Sequence, residues 1–404
     1  MSVGAAFSIA RLPRIEFGPG SRERLAELAG RYGKRVLVVT GARSLAESHA
    51  WPELAKGMDA AGLSWQRFPI SGEPSPQLVD RAVTEHRGDD IDVVLGIGGG
   101  SVLDAAKAIA GLLPTGDSVM DYLEGVGAGK RYAGPALPFI AAPTTAGTGS
   151  EATKNAVLSV AGPQGFKKSF RDERLVPEYA VVDPDLLRGC PPELIAANGM
   201  DALTQLMESF VSLRSNPFTD GLALSGLQAA RDSLLAWYED AGATRARAGM
   251  AYAALTSGIT LAQTGLGSVH GLASPLGAFF PIAHGVVCGT LVAAATRVNI
   301  DAMLQREPHN PALGKYAQLG ELLCRQRFAT PELAWEALNE LLEEWTTRMQ
   351  LPTLDALGVG HGDFERIVAH ARGSSMTTNP IVLNDAEIAQ VMALRCVQGQ
   401  GATP

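Results

Sequence analysis

Residues 96–104, Gly96-Ile97-Gly98-Gly99-Gly100-Ser101-Val102-Leu103-Asp104, constrain this chain more than any other stretch. They follow a run at 91–95 that reads as a buried strand and lead into 101–110, which reads as a helix. Three successive glycines at a strand-to-helix turn let the backbone approach a ligand closely, and the free N–H groups of the helix start favour an anion. The segment departs from the dinucleotide fingerprint, since Ser101 holds the sixth position and the turn lies far from the first strand. Alone, it reads equally as a turn that merely packs.

A second segment shifts that balance. Pro143-Thr144-Thr145-Ala146-Gly147-Thr148-Gly149-Ser150-Glu151 follows another apolar run, 137–142. Hydroxyls and bare amides at the end of a strand suit a pyrophosphate or the amide of a nicotinamide ring. Two such turns point to a nucleotide cleft.

Composition narrows the class. With 404 residues and 46% hydrophobic content the chain has ample core for two domains. A net charge of −8 without a basic stripe argues against nucleic acid. No uninterrupted apolar run reaches membrane-spanning length, and residues 1–17 lack a signal-peptide layout. Cys190, Cys288, Cys324 and Cys396 are scattered without CxxC spacing, as expected of reduced thiols in a cytoplasmic protein.

The chain divides near Cys190-Pro191-Pro192. Before that point strand-like runs (35–40, 91–95, 137–142, 180–182) alternate with helix-like segments (21–32, 77–86, 101–113). That alternation predicts a parallel sheet covered by helices, with ligands at the carboxyl ends of the strands. Beyond it, helical patterns take over. No internal repeat or low-complexity linker is present, so the halves should pack closely around a cleft.

The second half carries candidate metal ligands. Over 201–213, Leu203, Leu206, Met207, Phe210 and Val211 fall on one helix face, which puts Asp201, Gln205 and Glu208 on the other. That polar face is either a solvated stripe or part of a site. Further on, 269–285 holds His270 and His284, two of only seven histidines, in apolar Gly- and Pro-rich surroundings. Each reads alone as a hydrogen-bonded core histidine. Beside a carboxylate, the pair meets the ligand preferences of zinc or ferrous iron.

Taken in order, Gly98-Gly99-Gly100-Ser101 with Asp104 and Lys107, then 143–151, Gly199-Met200-Asp201-Ala202-Leu203-Thr204, and the His270 to His284 segment resemble the iron-containing alcohol dehydrogenase family. Wider relatives of that family include glycerol dehydrogenase and dehydroquinate synthase. Weaker echoes run from Phe17-Gly18-Pro19-Gly20 through Glu73-Pro74-Ser75-Pro76 to Asn379-Pro380, so the resemblance covers nearly the whole chain. It implies an α/β N-terminal domain with a parallel, Rossmann-like sheet over 1–190. An all-α C-terminal domain that holds metal and substrate would occupy 191–404. The implied activity is metal-dependent hydride transfer between a nicotinamide cofactor and a small alcohol or aldehyde. A reductase of oxo acids similar to maleylacetate reductase, or a metal-poor relative weakened in catalysis, is the alternative. A cytoplasmic homo-oligomer, dimer or larger, with neither nucleic acid nor membrane as partner, is expected.

Residue by residue, Asp201, His270 and His284 match three of the family's metal ligands, for iron or zinc. Gln205 stands where the fourth, usually a histidine, is found, so an amide oxygen or a water would complete the site. Ser274 replaces a histidine that many members place beside the substrate; protons would leave through a water, the cofactor ribose or Ser274. Gly99, Gly100 and Ser101 would seat the pyrophosphate, with Gly98 and Asp104 as neighbouring cofactor contacts. Thr144, Thr145 and Thr148 would line the nicotinamide end, with Ser75, Ser150, Asn155 and Lys167 as further cofactor contacts, although Lys167 and Lys168 both read also as surface charges. In family members that prefer NAD an acidic residue often stands at the place of Gly41. Its absence, with Arg43 and Ser44 following, leans the expected cofactor, NAD(P)(H), towards NADP(H).

Overall fold

The computed structural model describes residues 6–396; the remainder of the ranges 1–17 and 191–404 lies outside the described residues. Eight strands and thirteen helices make up the described chain. The strands are β1 (Arg14–Phe17), β2 (Arg35–Gly41), β3 (Ser64–Ile70), β4 (Val93–Gly98), β5 (Phe139–Pro143), β6 (Asn155–Val160), β7 (Phe166–Arg171) and β8 (Tyr179–Val182). Between them lie α1 (Leu25–Gly30), α2 (Ala50–Ala60), α3 (Pro76–His86) and α4 (Gly100–Leu112). The helical half comprises α5 (Pro192–Val211), α6 (Pro217–Glu239), α7 (Thr244–Thr264), α8 (Ser268–Phe279), α9 (His284–Arg306), α10 (Pro311–Cys324), α11 (Pro331–Arg348), α12 (Phe364–Ala371) and α13 (Asp385–Ala393).

Six strands form one parallel sheet in the order β1-β8-β5-β4-β2-β3, while β6 and β7 pair as a separate antiparallel hairpin. A parallel sheet must be covered on both faces, which is why its central strands are apolar throughout. In β2, Val36 and Val38 enter one core while Leu37 and Val39 enter the other. The second core is closed by α3, α4 and the hairpin, through Val79, Val102, Leu103 and Phe170. The first continues from Val36 and Leu95 through Leu203 and Leu272 into the helical half, so the two halves share one packed interior.

Several boundaries differ from the sequence expectation. β4 starts two residues later than the run at 91–95 and carries Gly96 and Gly98 within the strand, leaving Gly99 as the helix cap. The helix expected over 21–32 is a 3-10 turn, Ser21–Arg24, followed by the short α1. β1 and β3 carried no recognised pattern because they are the two edge strands: β1 leaves Ile15 and Phe17 exposed, and β3 alternates exposed Ser64 and Gln66 with half-buried Trp65 and Arg67. Among the described residues no strand follows Val182.

β2 pairs with β3 on one side and β4 on the other, so the direction of strand progression reverses between β2 and β4. Ligands of such sheets sit outside the carboxyl ends at that reversal. Thr40 and Ile97 are paired there, which brings the Gly41 corner beside the Gly98–Gly100 turn. Among the described residues one helix, α9, is long and apolar enough to cross a membrane, but 83% of its apolar stretch is buried inside the protein.

Candidate metal centre and cofactor cleft

α5 is the middle helix of the second half, packed against α6, α7 and α9. Its i, i+4, i+7 spacing holds Asp201, Gln205 and Glu208 on one face, as the pattern requires. That face is not a solvated stripe: all three are buried. It meets α8 and α9. His270 lies in the first turn of α8, and His284 is the first residue of α9. Cys288, one turn further along α9, points to the same side as His284.

Nε2 of His270 lies 3.1 Å from Oδ1 of Asp201 and 3.6 Å from Sγ of Cys288. Nε2 of His284 lies 3.9 Å from Oδ1 of Asp201 and 3.8 Å from the same sulfur. One donor atom from each of the four residues falls within 4.8 Å of every other. Behind them, Nδ1 of His270 is 2.6 Å from Oε2 of Glu208, whose Oε1 accepts the Val269 N–H at 2.7 Å. A carboxylate on Nδ1 fixes the tautomer and turns the Nε2 lone pair inward, as in carboxylate–histidine–metal arrangements.

Burial and mutual contact shift all four groups of the cluster. Burial, with the Lys167 ammonium adding to it, pushes His284 down to about 4, so its ring is neutral at physiological pH. Burial opposes charge on His270, yet the Glu208 and Asp201 carboxylates outweigh it and hold the imidazole well above its ordinary value. Burial likewise opposes ionisation of Asp201, but His284 and His270 keep it below the usual carboxylate range. Burial pushes the Cys288 thiol up to about 12.

Two expected roles change on this geometry. Gln205 donates from Nε2 to Oδ1 of Asp201 at 3.3 Å, and its Oε1 accepts from Oγ of Ser257 on α7 at 2.8 Å. Its amide oxygen is turned away from the cluster, so Gln205 orients the carboxylate and is not placed as a ligand. Oγ of Ser274 donates to the Lys167 carbonyl at 3.2 Å, which engages the proton that a relay would pass on. Phe279 and Phe280 pack half-buried against the core, and Arg366 lies over the Phe279 ring.

The glycine and threonine turns meet, as the sequence suggested. The Thr144 N–H donates to the Gly98 carbonyl at 3.0 Å. A Cβ on Gly100 would come within 2.7 Å of the Thr148 side chain, and one on Gly99 within 3.3 Å of Thr145. Only a bare backbone lets the threonines close over the α4 N-terminus, where Ser101 also sits. Gly149, at φ +62°, lies against the backbone of Gly258 on α7, where a Cβ would fall 2.4 Å away. Oγ of Ser257, beside it, lies 3.4 Å from the Gly147 carbonyl and donates to Gln205 at 2.8 Å, so the threonine turn packs directly against the metal-site helices.

Other expected cofactor contacts are partly occupied within the protein. Nζ of Lys107, fully buried, has the Ser150 carbonyl and hydroxyl, the Thr153 hydroxyl and the Asn155 carbonyl within 2.7–3.0 Å as acceptors for its three protons. Ser150 donates onward to Asp104 at 2.5 Å. Burial pushes Lys107 down to about 8 and Glu151 up to about 7. Ser75 caps α3, accepting the Leu78 N–H. Lys167, rather than Lys168, faces the cleft, paired with Glu73 at 2.6 Å and felt by His284. At the Gly41 corner the cation in place is Arg67, which donates to Thr40, Gly41 and Ala42, while Arg43 is exposed. Arg67 went unrecognised because β3 did. Cys288 went unread although it repeats the four-residue spacing after His284.

Comparison with known proteins agrees with this architecture. Residues 13–184 match the family model described as iron-containing alcohol dehydrogenase, and residues 195–395 match that of the Fe-containing alcohol dehydrogenase family, C-terminal. An NAD-dependent methanol dehydrogenase of Bacillus methanolicus is 31% identical over 89% of this chain and 91% of its own length. An NADPH-dependent butanol dehydrogenase of Clostridium saccharobutylicum is 29% identical over 94% of this chain and 96% of its own. A crystal structure of 1,3-propanediol oxidoreductase superposes with a TM-score of 0.88 at 27% identity, covering 97% of this chain and all of that one. The chain belongs to the iron-containing alcohol dehydrogenase family.

Proposed function

We propose that the protein interconverts small alcohols and aldehydes by metal-dependent hydride transfer with a nicotinamide cofactor, preferring NADP(H). One observation carries the reading: the Asp201, His270 and His284 donors converge, and Oδ2 of Asp201 is buried with no hydrogen-bond partner. An ionised carboxylate with an orphaned oxygen in a dry interior is costly unless a cation neutralises it, so these residues fit a divalent ion. Asp201, His270 and His284 would hold it. A bound divalent cation supplies positive charge to the substrate oxygen, and a nicotinamide supplies the hydride acceptor or donor.

The chain's own groups set up the rest. Glu208 aims His270, and Gln205 aims Asp201. The His284 side chain is 26% exposed, against 5% for His270 and 1% for Asp201, so the cluster opens on the side of His284, Lys167 and Glu73. Substrate would enter there. The Lys167 charge is already matched by Glu73, which disfavours a carboxylate-bearing oxo acid as the preferred substrate. Ser274, its proton engaged by the Lys167 carbonyl, keeps lone pairs to accept a hydrogen bond from a substrate hydroxyl.

Cofactor preference rests on Gly41, which offers no carboxylate against a 2′-phosphate, and on the nearby guanidinium of Arg67. Gly41→Asp should shift preference towards NADH, read as kcat/KM for both cofactors. A roughly hundredfold advantage for NADH in the unmodified enzyme would refute the assignment. Free Cys190, Cys288, Cys324 and Cys396 support a cytoplasmic setting, and edge strand β1, with Ile15 and Phe17 substantially exposed, supports self-association into a homo-oligomer. Neither nucleic acid nor membrane is proposed as a partner. His284→Ala tests the core reading: bound metal and kcat should fall by orders of magnitude while the fold persists. Undiminished turnover of aldehydes and alcohols by that variant would overturn it.

A further inference from the structure

The donor set of the metal centre differs from the one its sequence motifs suggest, and the difference is chemical. Gln205, at the expected fourth position, has its amide oxygen on Ser257 and its NH2 group on Asp201. Cys288 instead brings a fully buried sulfur to the other three donors. A cysteine that merely fills core faces hydrocarbon, whereas the Sγ of Cys288 lies against two imidazole nitrogens, 3.6 and 3.8 Å away.

The spacings decide what such a cluster can hold. An ion bound tetrahedrally by nitrogen and oxygen at about 2.1 Å and sulfur at about 2.3 Å separates its ligands by about 3.4 Å, or about 3.6 Å where sulfur is one of the pair. Four edges of the cluster measure 3.1, 3.6, 3.8 and 3.9 Å. Independently of the cysteine, Oδ2 of Asp201, a residue of the cluster, is buried without a hydrogen-bond partner.

We infer that Cys288, as a thiolate on α9, is the fourth protein ligand in place of Gln205 on α5, and that the resulting Asp-His-His-Cys set favours zinc over iron(II). This rests on the metal-dependent reading above. On binding, the sulfur–metal bond forms as the S–H bond breaks, and the proton passes to solvent; no electron is transferred. Thiolate is a soft ligand that selects zinc, and zinc binds more tightly than iron(II) at a given site.

Cobalt(II) reconstitution of the full chain tests this without assaying turnover. The wild-type protein should take one equivalent and show an intense sulfur-to-cobalt charge-transfer band in the near ultraviolet. Cys288→Ser should lose the band and bind on the order of 100-fold more weakly. Gln205→Ala should keep the band, because it removes support for Asp201 and no ligand. When offered equal iron(II) and zinc without oxygen, the wild type should fill with zinc, and that bias should shrink in Cys288→Ser. Stoichiometric cobalt without the band overturns the proposal, and the wild-type spectrum alone decides this if the serine variant does not fold. Loss of metal in Gln205→Ala with retention in Cys288→Ser also overturns it, as does a preference for iron. Failure of the wild type to bind any metal would instead refute the metal-dependent function itself.

Discussion

Replacing Glu208 with glutamine isolates the support of His270 from its ligation. The carboxylate accepts two hydrogen bonds at once, from Nδ1 of His270 at 2.6 Å and from the Val269 N–H at 2.7 Å. An amide has one acceptor oxygen and one donor group, so Glu208→Gln must give up one of them. A hydrogen bond to a charged group contributes about 1.5–3 kcal/mol. Glu208 is only 8% exposed, so little solvent screening discounts that figure. At about 1.4 kcal/mol per tenfold, metal should dissociate roughly 10–100 times more readily. Competition with a chromophoric chelator measures this, and thermal melting of the metal-free protein separates it from any general loss of stability. Unchanged metal affinity with a lowered metal-free melting temperature would refute the reasoning, because Glu208 would then serve only as a cap for Val269.

Gly100→Ala should raise the KM for the nicotinamide cofactor with metal content unchanged, since its Cβ would meet Thr148 at 2.7 Å and wedge the two turns apart; unaltered cofactor binding by fluorescence titration would count against the cleft. Glu151 has its pKa raised from 4.5 to about 7 by burial, so between those values the folded state holds a proton that the unfolded state has lost. Its contribution to stability is complete below pH 4.5 and disappears as pH rises through about 7. Glu151→Gln should therefore gain on the wild type across that window, by about 3 kcal/mol at most. Parallel pH dependence of denaturant midpoints in the two proteins would contradict this.

What the sequence made legible follows from the range of each signal. The central strands were readable because a sheet buried on both faces demands continuous apolar runs such as Val36–Val39. Edge strands β1 and β3 bury less and carry charges, so their residues, Arg67 among them, gave no local signal. Asp201, His270 and His284 were found through ordered motifs, and the structure brings them together. Glu208 was placed on the right face, yet its use depends on α8, which only the fold positions. Gln205, or a water beside it, was expected at the ion because the resemblance puts the fourth ligand there; the competing hydrogen bond from Ser257 lies 52 residues away and is invisible to the motif. Lys107 stood inside a recognised motif, but its four acceptors lie 43–48 residues downstream, so its structural task could not be read from the turn.

Metal removal and restoration tests the central claim most directly. Protein stripped of metal and supplied with NADPH and a series of small aldehydes should turn over at background rate. Adding one equivalent of zinc or iron(II) per chain should restore kcat by orders of magnitude, and His284→Ala should not respond. Full turnover by the stripped protein, insensitive to added metal, would contradict the account.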